Sequence, residues 1–175
     1  MSLYCSTPIP NFSAAICAAE PSRITAVAIV RDDALVRADQ TTLATWNLDI
    51  TAGRVHIIKS VRGSKEKGSD VTIDGYGRQA TRSVNRNFVA AYSHPDVVGN
   101  EDFYEVLNLD SGHHFWFYTP GELIWDTGDP IANFDGDFVI VETLDGIIEW
   151  NVGVTWSGTT IPKAFDATAI KSLFE

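Results

Sequence analysis

This 175-residue sequence has few cysteines, no long apolar run and no familiar catalytic motif. Its two cysteines, Cys5 and Cys17, both lie near the N-terminus. That number and placement favour two free thiols over a disulfide or half of a metal site. No stretch approaches the roughly 18 apolar residues of a transmembrane helix. The first residues lack the basic and apolar regions of a secretory signal, so we expect neither a signal peptide nor a membrane partner.

Patterns that bind metals or phosphates are missing too. There is no H-x-x-x-H or C-x-x-C pair, and His56 and His94 are isolated. His113 and His114 are adjacent, and adjacent side chains on a strand point to opposite faces, which suits them poorly to one metal ion. Glycine-rich phosphate loops and nucleophile elbows do not occur. The sequence therefore predicts no cofactor and identifies no enzymatic reaction.

Cations are scarce in the second half of the chain. Residues 1–90 hold eleven Lys and Arg against eight Asp and Glu, a net charge of +3. Residues 91–175 hold two against fifteen, a net charge of −13, and the two halves add up to −10. An asymmetry of this size indicates an interaction surface or an electrostatic role. The alternative is a solvated acidic face that only aids solubility.

Strand alternation, by contrast, is abundant, and it is clearest between residues 115 and 157. The apolar face of the last segment consists of Ile148, Trp150, Val152, Val154 and Trp156. Before the turn signal at 144–146, Phe134, Phe138 and Ile140 alternate with Asn133, Asp135 and Asp137. The two segments predict a long β-hairpin with one apolar face and one acidic face.

The rest of the chain predicts about seven strands and two helices in one domain. One amphipathic helix is expected within residues 41–53 and another between Asn100 and Gly112. Their expected buried residues are Leu43, Trp46 and Ile50 in the first, and Phe103, Val106 and Leu107 in the second. The polar segment 63–70 predicts a loop.

Short connections between these elements favour antiparallel pairing. We therefore expect a mainly-β fold, an antiparallel β-sandwich with one or two short flanking helices. Its expected limits are residues 23–162, with an N-terminal arm over 1–22 and a C-terminal tail over 163–175.

Four segments of the chain resemble structural proteins of tailed bacteriophages. They are DGYGRQATRSVNRNF, FYEVLN, HHFWFYTPGELIW and FVIVETLDGIIEWNVGVTWSG. They are similar to tail-tube-type and head–tail connector ring proteins of crAss-like podoviruses. The resemblance implies a tail-tube-like β-sandwich with a flanking helix. Such domains pack side by side into a ring whose sheets line a channel.

The resemblance implies a virion protein of the tail or head–tail connector, assembled in the host cytoplasm, and not an enzyme. The implied partners are further copies of itself, adjacent virion proteins and genomic DNA in transient, non-specific passage. The candidate channel-facing residues are Asp135, Asp137, Glu142 and Glu149, because an acidic lining repels phosphates that a basic one would bind. Glu142 has the parity of the apolar face unless the strand bulges or ends before it. The candidate inter-subunit loop residues are Lys65, Glu66 and Lys67.

Two other classes of protein stay open. A carbohydrate-binding or adhesin module would use an aromatic platform and a calcium site. Its candidate residues are Tyr76, Trp116, Trp125, Trp150 and Trp156 for the platform, and Asp126, Asp129, Asp135 and Asp137 for calcium. The competing interpretation places the tryptophans in an aromatic core. A glycoside hydrolase would need a carboxylate pair drawn from Glu122, Glu142 and Glu149, which any acidic β-protein offers.

Overall fold

A computed structural model describes residues 23–73, 82–110, 112–128, 133–140 and 146–175 of the chain. The predictions for the N-terminal arm, which contains both cysteines, fall outside these ranges. So do the predictions for Tyr76, Asp129 and Glu142.

Within the described ranges, nine strands and two α-helices form. The strands are β1 (Ile24–Arg31), β2 (Val55–Lys65), β3 (Ser69–Ile73), β4 (Arg82–His94), β5 (His113–Thr119), β6 (Leu123–Asp126), β7 (Asn133–Val139), β8 (Glu149–Gly158) and β9 (Lys163–Asp166). The helices are α1 (Leu43–Thr51) and α2 (Glu101–Leu109), with short 3₁₀ helices at Leu35–Arg37 and Lys171–Leu173.

All the strands join into one antiparallel sheet. Its order is β7-β8-β4-β2-β1-β5-β6-β9, and β3 also pairs with β4. The predicted mainly-β, antiparallel class is confirmed. The sheet is continuous, and it includes the segment expected as a C-terminal tail, because β9 pairs with β6.

The sheet folds back on itself within β2, and we call such a sheet turned over. Residues 55–59 of β2 pair with β1, residues 62–65 pair with β4, and Gly63 pairs with both, through Ile24 on β1 after a register shift. Ser60, between these two halves, has a φ of 59°, which few residues other than glycine adopt. As a result, inward side chains of β1 and β5 meet those of β4 and β8 in a first core, where the ring centroids of Phe117 and Trp156 are 6.2 Å apart.

A second core lies on the other side of β1 and β5. The Trp46 ring of α1 lies 5.7 Å from Trp116 and 5.4 Å from Phe174, measured between centroids. Ala167 and Ile170, also from the C-terminal segment, are fully buried beside them. Both faces of β1 and β5 are therefore covered, which explains why these strands are apolar on both sides.

The apolar patterns predicted the buried residues of the two helices only in part: Trp46 and Leu107 are buried and Phe103 is half-buried, whereas the other three are exposed. In α1, Leu43 and Ile50 each keep more than a third of their surface exposed. In α2, Leu107 is buried as predicted, but Val106 is 61% exposed and Tyr104 is buried instead. Tyr104 faces inward because its ring packs 4.4 Å from that of Trp150 on β8.

Helix α1 also buries a carboxylate. Asp49 is fully buried, and one of its oxygens accepts the Val36 N–H at 2.9 Å. The other oxygen accepts a hydrogen bond from Arg54 Nε at 2.8 Å and forms an ion pair with Arg54 Nη2 at 2.6 Å. This one side chain ties α1 to the 3₁₀ helix before it and to the start of β2.

The prediction of a loop over residues 63–70 holds only for residues 66–68, and the two ends of the segment are strands. Residues 63–65 belong to β2, and β3 continues along the same edge of β4 from residue 69. Between them, the Glu66 N–H still donates to the Val89 carbonyl at 3.0 Å. The polar residues of this segment fit a strand edge because most of them are exposed. Lys65 is half-buried, and its ammonium lies 5.0 Å from the centre of the Phe88 ring in a cation–π contact.

Candidate functional site on the open face of the sheet

One face of the sheet is left open to solvent, and we call it the open face. It consists of the outward sides of β7, β8, β4 and the second half of β2. Strand register aligns Asp137, Asn151, Ser93 and Arg62 in one row across it. The next row consists of Asp135, Gly153, Ala91 and Ser64. The opposite sides of β4 and β8 form the first core, as the alternation of both strands predicts.

A groove of about 690 Å³ runs across the open face. Its floor consists of small residues, including Ala91, Ser93 and Gly153. Asp135 and Asp137 line one side of the groove, and Arg23 and Arg62 line the other. All four of these charged residues are exposed. The groove therefore has an acidic side and a basic side separated by a nearly uncharged floor.

Three of the four predicted channel-facing residues lie on this face. Register places Asp135 beside Gly153, Asp137 beside Asn151, and Glu149 beside Val139 on the same side of the sheet. Asp135 and Asp137 are exposed, Glu149 is half-buried, and none of the three makes an ion pair within the described part of the chain.

The basic side of the groove comes from the N-terminal half of the chain. Ile24 pairs with Gly63, which brings Arg23 next to the second half of β2, where Arg62 lies. The hairpin carries no cation of its own, but its neighbours in the sheet supply two. The hairpin pattern gave no sign of these arginines, because only the register of β2 against β4 places them across the groove.

Helix α2 covers the outer edge of β7. The Asn108 side-chain amide donates to the Gly136 carbonyl at 3.0 Å and accepts the Gly136 N–H at 3.0 Å. At Gly136 these two bonds replace those that a further strand would make, so the helix covers the middle of this edge. The outward side of the helix stays exposed, and we call it the acidic edge: Glu101, Asp102, Glu105, Val106 and Leu109.

The opposite edge of the open face is basic. It follows the second half of β2 and the connection to β3, so the predicted loop residues lie here. We call it the basic edge: Arg23, Arg62 and Lys67, together with the half-buried Lys65, which points to the other side of the sheet over the Phe88 ring. Glu66 lies within the same stretch and is exposed. None of the four cations has an ion-pair partner among the described residues.

Large apolar side chains are exposed where β7 ends and β8 begins. Between 40% and 69% of the surface is exposed in Val139, Phe138, Ile148, Ile147 and Ile140, which we call the apolar tip. The predicted apolar face is confirmed for Phe138, which pairs with Trp150 and whose ring lies 5.6 Å from that of Trp150, although 42% of its surface is exposed. Ile140 and Ile148 are exposed because β7 stops at Val139 and β8 starts at Glu149, so both residues lie beyond the paired part of the strands. A cluster of this kind is typical of a protein contact surface.

The aromatic platform that a carbohydrate-binding module needs does not form from the predicted tryptophans. Trp116, Trp150 and Trp156 are at most 4% exposed, and Trp125 is half-buried. They contribute to the cores instead, which was the competing interpretation. Within the described residues, no group of three or more His, Cys, Asp or Glu side chains is placed to hold a metal ion.

The two adjacent histidines separate as predicted. The buried His114 shares a hydrogen bond of 3.0 Å between its Nε2 and the Asp32 carboxylate. On the other side of β5, the half-buried His113 has its Nδ1 3.7 Å from the Asp110 carboxylate. Each histidine thus has its own acidic neighbour.

A second cleft, of about 510 Å³, opens between the first half of β2 and helix α2. At its inner end His94 Nε2 bonds the Tyr104 hydroxyl, and both residues are buried. Burial lowers the pKa of His94 below its ordinary value of 6.5, although the nearby Asp96 carboxylate opposes the shift. Burial likewise raises the pKa of Tyr104 to about 12.

This environment predicts a loss of stability in mild acid. His94 takes up a proton more readily in the unfolded chain, so its contribution is fully present above about pH 6.5 and is lost as the pH falls through the folded value. Burial also lowers the pKa of His113, which adds in the same direction. Urea unfolding between pH 7.5 and pH 5 measures the slope. His94→Gln is expected to flatten it, and an unchanged slope in that variant would exclude His94 as the cause.

Comparisons with protein-family models, with curated proteins and with solved structures find no match to this chain. The class of the protein is therefore defined by its fold: a mainly-β domain with one turned-over antiparallel sheet and an open, charged face. None of its described helices is long and apolar enough to cross a membrane.

Proposed function

We propose that this protein is a structural virion protein that oligomerises into a ring of a phage tail or head–tail connector. In this proposal it has no enzymatic role. The observation that carries the proposal is that Asp135, Asp137 and Glu149 share one face of the sheet, turned away from the core. In the ring, this face lines a channel through which DNA passes.

Electrostatics explains why the acidic side of this lining favours passage, whereas Arg23 and Arg62 on its basic side attract phosphates. DNA carries a phosphate charge about every 1.7 Å along its axis, and a protein surface rich in Lys and Arg binds it by releasing counterions. Exposed carboxylates repel the phosphates instead. Asp135 and Asp137 project from β7, at the acidic side of the groove, and the groove floor between them and the arginines has no side chain long enough to grip a strand.

The apolar tip supports an assembled state. Phe138 and Val139 end β7, Ile140 follows it, and Ile147 and Ile148 precede β8; all five are exposed and lie outside the two cores. Contiguous exposed apolar residues of this kind are costly in an isolated soluble protein and are covered in assemblies. In the proposal, the tip contacts an adjacent virion protein at one end of the ring.

The oligomeric state of the full-length chain tests the proposal. Multi-angle light scattering should give a mass several times the 19.2 kDa of one chain, alone or after addition of the adjacent ring proteins of the virion. Negative-stain images should show annular particles with a central hole. A species of 19.2 kDa under every condition, with no annular particle, would rule the proposal out.

A further inference from the structure

The geometry points to a specific contact between copies of this chain: the acidic edge of one copy packs against the basic edge of the next. This inference rests on the proposed ring. It names the two surfaces that join neighbouring subunits. The partner that packs against each edge is another copy of the same chain.

The acidic edge is built as a contact surface. Helix α2 is fixed to β7 through the two Asn108 bonds and to the core through Tyr104 and Leu107, so its outward side is held rigidly. That side presents Val106, 61% exposed, and Leu109, 84% exposed, together with the exposed Asp102 and Glu105. Protein interfaces commonly combine apolar side chains with charged ones in this way.

The basic edge offers the complementary charge. Arg62 and Lys67 are exposed and have no ion-pair partner among the described residues. Other described arginines, such as Arg54 and Arg86, are paired with aspartates of the same chain. Val71 on β3, 38% exposed, provides an apolar neighbour to this edge. The basic edge therefore carries cations without an ion-pair partner, interrupted by Glu66, and the Glu101, Asp102 and Glu105 carboxylates of the acidic edge likewise make no ion pair among the described residues.

The position of the two edges explains why a second copy is the fitting partner. They lie on opposite sides of the same four-strand face, with β7 at one end and β2 at the other. Joining acidic edge to basic edge is a heterologous contact, which repeats from copy to copy and closes into a ring. It also keeps the open faces of neighbouring copies turned the same way, so the groove carboxylates all face the channel.

Two charge-reversal variants of the full chain test this contact. One variant is Asp102→Lys/Glu105→Lys on the acidic edge, and the other is Arg62→Glu/Lys67→Glu on the basic edge. In each, like charges meet at every contact, and we expect association weakened by more than about tenfold. Lys163→Glu, on the exposed side of β9, is the matched control and should assemble as the native chain does. Far-UV circular dichroism checks that all the variants are folded.

Mixing the two variants in equal amounts gives the decisive result. The acidic edge of the first variant is now positive, and it meets the basic edge of the second variant, which is now negative. The unreversed edges of the two variants also carry opposite charges, so every contact between the two variants is again attractive. Recovery of a particle with three or more copies supports the inference. Three results overturn it: undiminished assembly of either variant alone, no recovery on mixing, or recovery of a dimer only. If the native chain itself never assembles, the proposed function fails instead, so the two failures are distinguishable.

Discussion

Replacing Trp156 with alanine is expected to lower the free energy of unfolding by about 4 kcal/mol, the range for removing a buried aromatic side chain. Trp156 lies on β8, where its ring stacks on Phe88 of β4 at 5.4 Å. The same ring lies 6.2 Å from Phe117 of β5, across the first core. Its loss therefore opens a cavity between the two halves of the turned-over sheet. Urea unfolding of the native and variant chains measures the difference.

Trp156→Phe is the control for this experiment. The indole N–H of Trp156 is buried without a hydrogen-bond partner in the described part of the molecule. Replacement by phenylalanine therefore removes an unpaired hydrogen-bond donor and only part of the side-chain volume. We expect this variant to lose less than about 1.5 kcal/mol. If Trp156→Ala lowered the free energy of unfolding no more than Trp156→Phe does, the two halves of the sheet would not meet at this residue.

Replacing Asp49 with alanine is expected to destabilise the protein by about 3 kcal/mol. The change leaves the Val36 N–H buried without an acceptor and removes the only described ion-pair partner of Arg54. The Arg54 side chain is 25% exposed and keeps part of its hydration, which places the effect at the lower end of the range for broken buried pairs. Thermal and urea unfolding both report the loss.

Two variants sharpen the Asp49 experiment. Asp49→Asn keeps one oxygen acceptor in the site and should lose clearly less than alanine. Asp39→Ala removes an exposed carboxylate close to the same helix, and its expected cost is below about 0.5 kcal/mol. Equal effects of Asp49→Ala and Asp39→Ala would mean that the buried bonds do not stabilise the fold.

Alternating strands were predictable from the sequence because burial follows parity directly. Trp150, Val152, Val154 and Trp156 are all buried on β8, and Phe88, Ala90 and Tyr92 are buried on β4. The helices were less predictable. An apolar stripe gives no sign that a carboxylate such as Asp49 is buried, because its partners come from elements on either side of the helix. The continuity of β2 with β3 was hidden by the polar residues of the segment between them.

The candidate site was predictable on its acidic side only. The pattern of β7 and β8 was enough to put Asp135, Asp137 and Glu149 on one face, because all three belong to one hairpin. Arg23 and Arg62 were not predictable as their neighbours. They are separated from the hairpin by more than 70 residues of sequence, and their position depends on the turn of the sheet within β2.

The central claim is that the open face lines the channel of a ring. A gold label on a single cysteine tests it most directly, with Asp137→Cys as the labelled position and Asp166→Cys, on β9, as the control. Both are made in a chain in which Cys5 and Cys17 are replaced by serine. In negative-stain images the account predicts label density inside the central hole for Asp137→Cys and outside it for Asp166→Cys. Asp137→Cys label on the outer rim of the particle would contradict it.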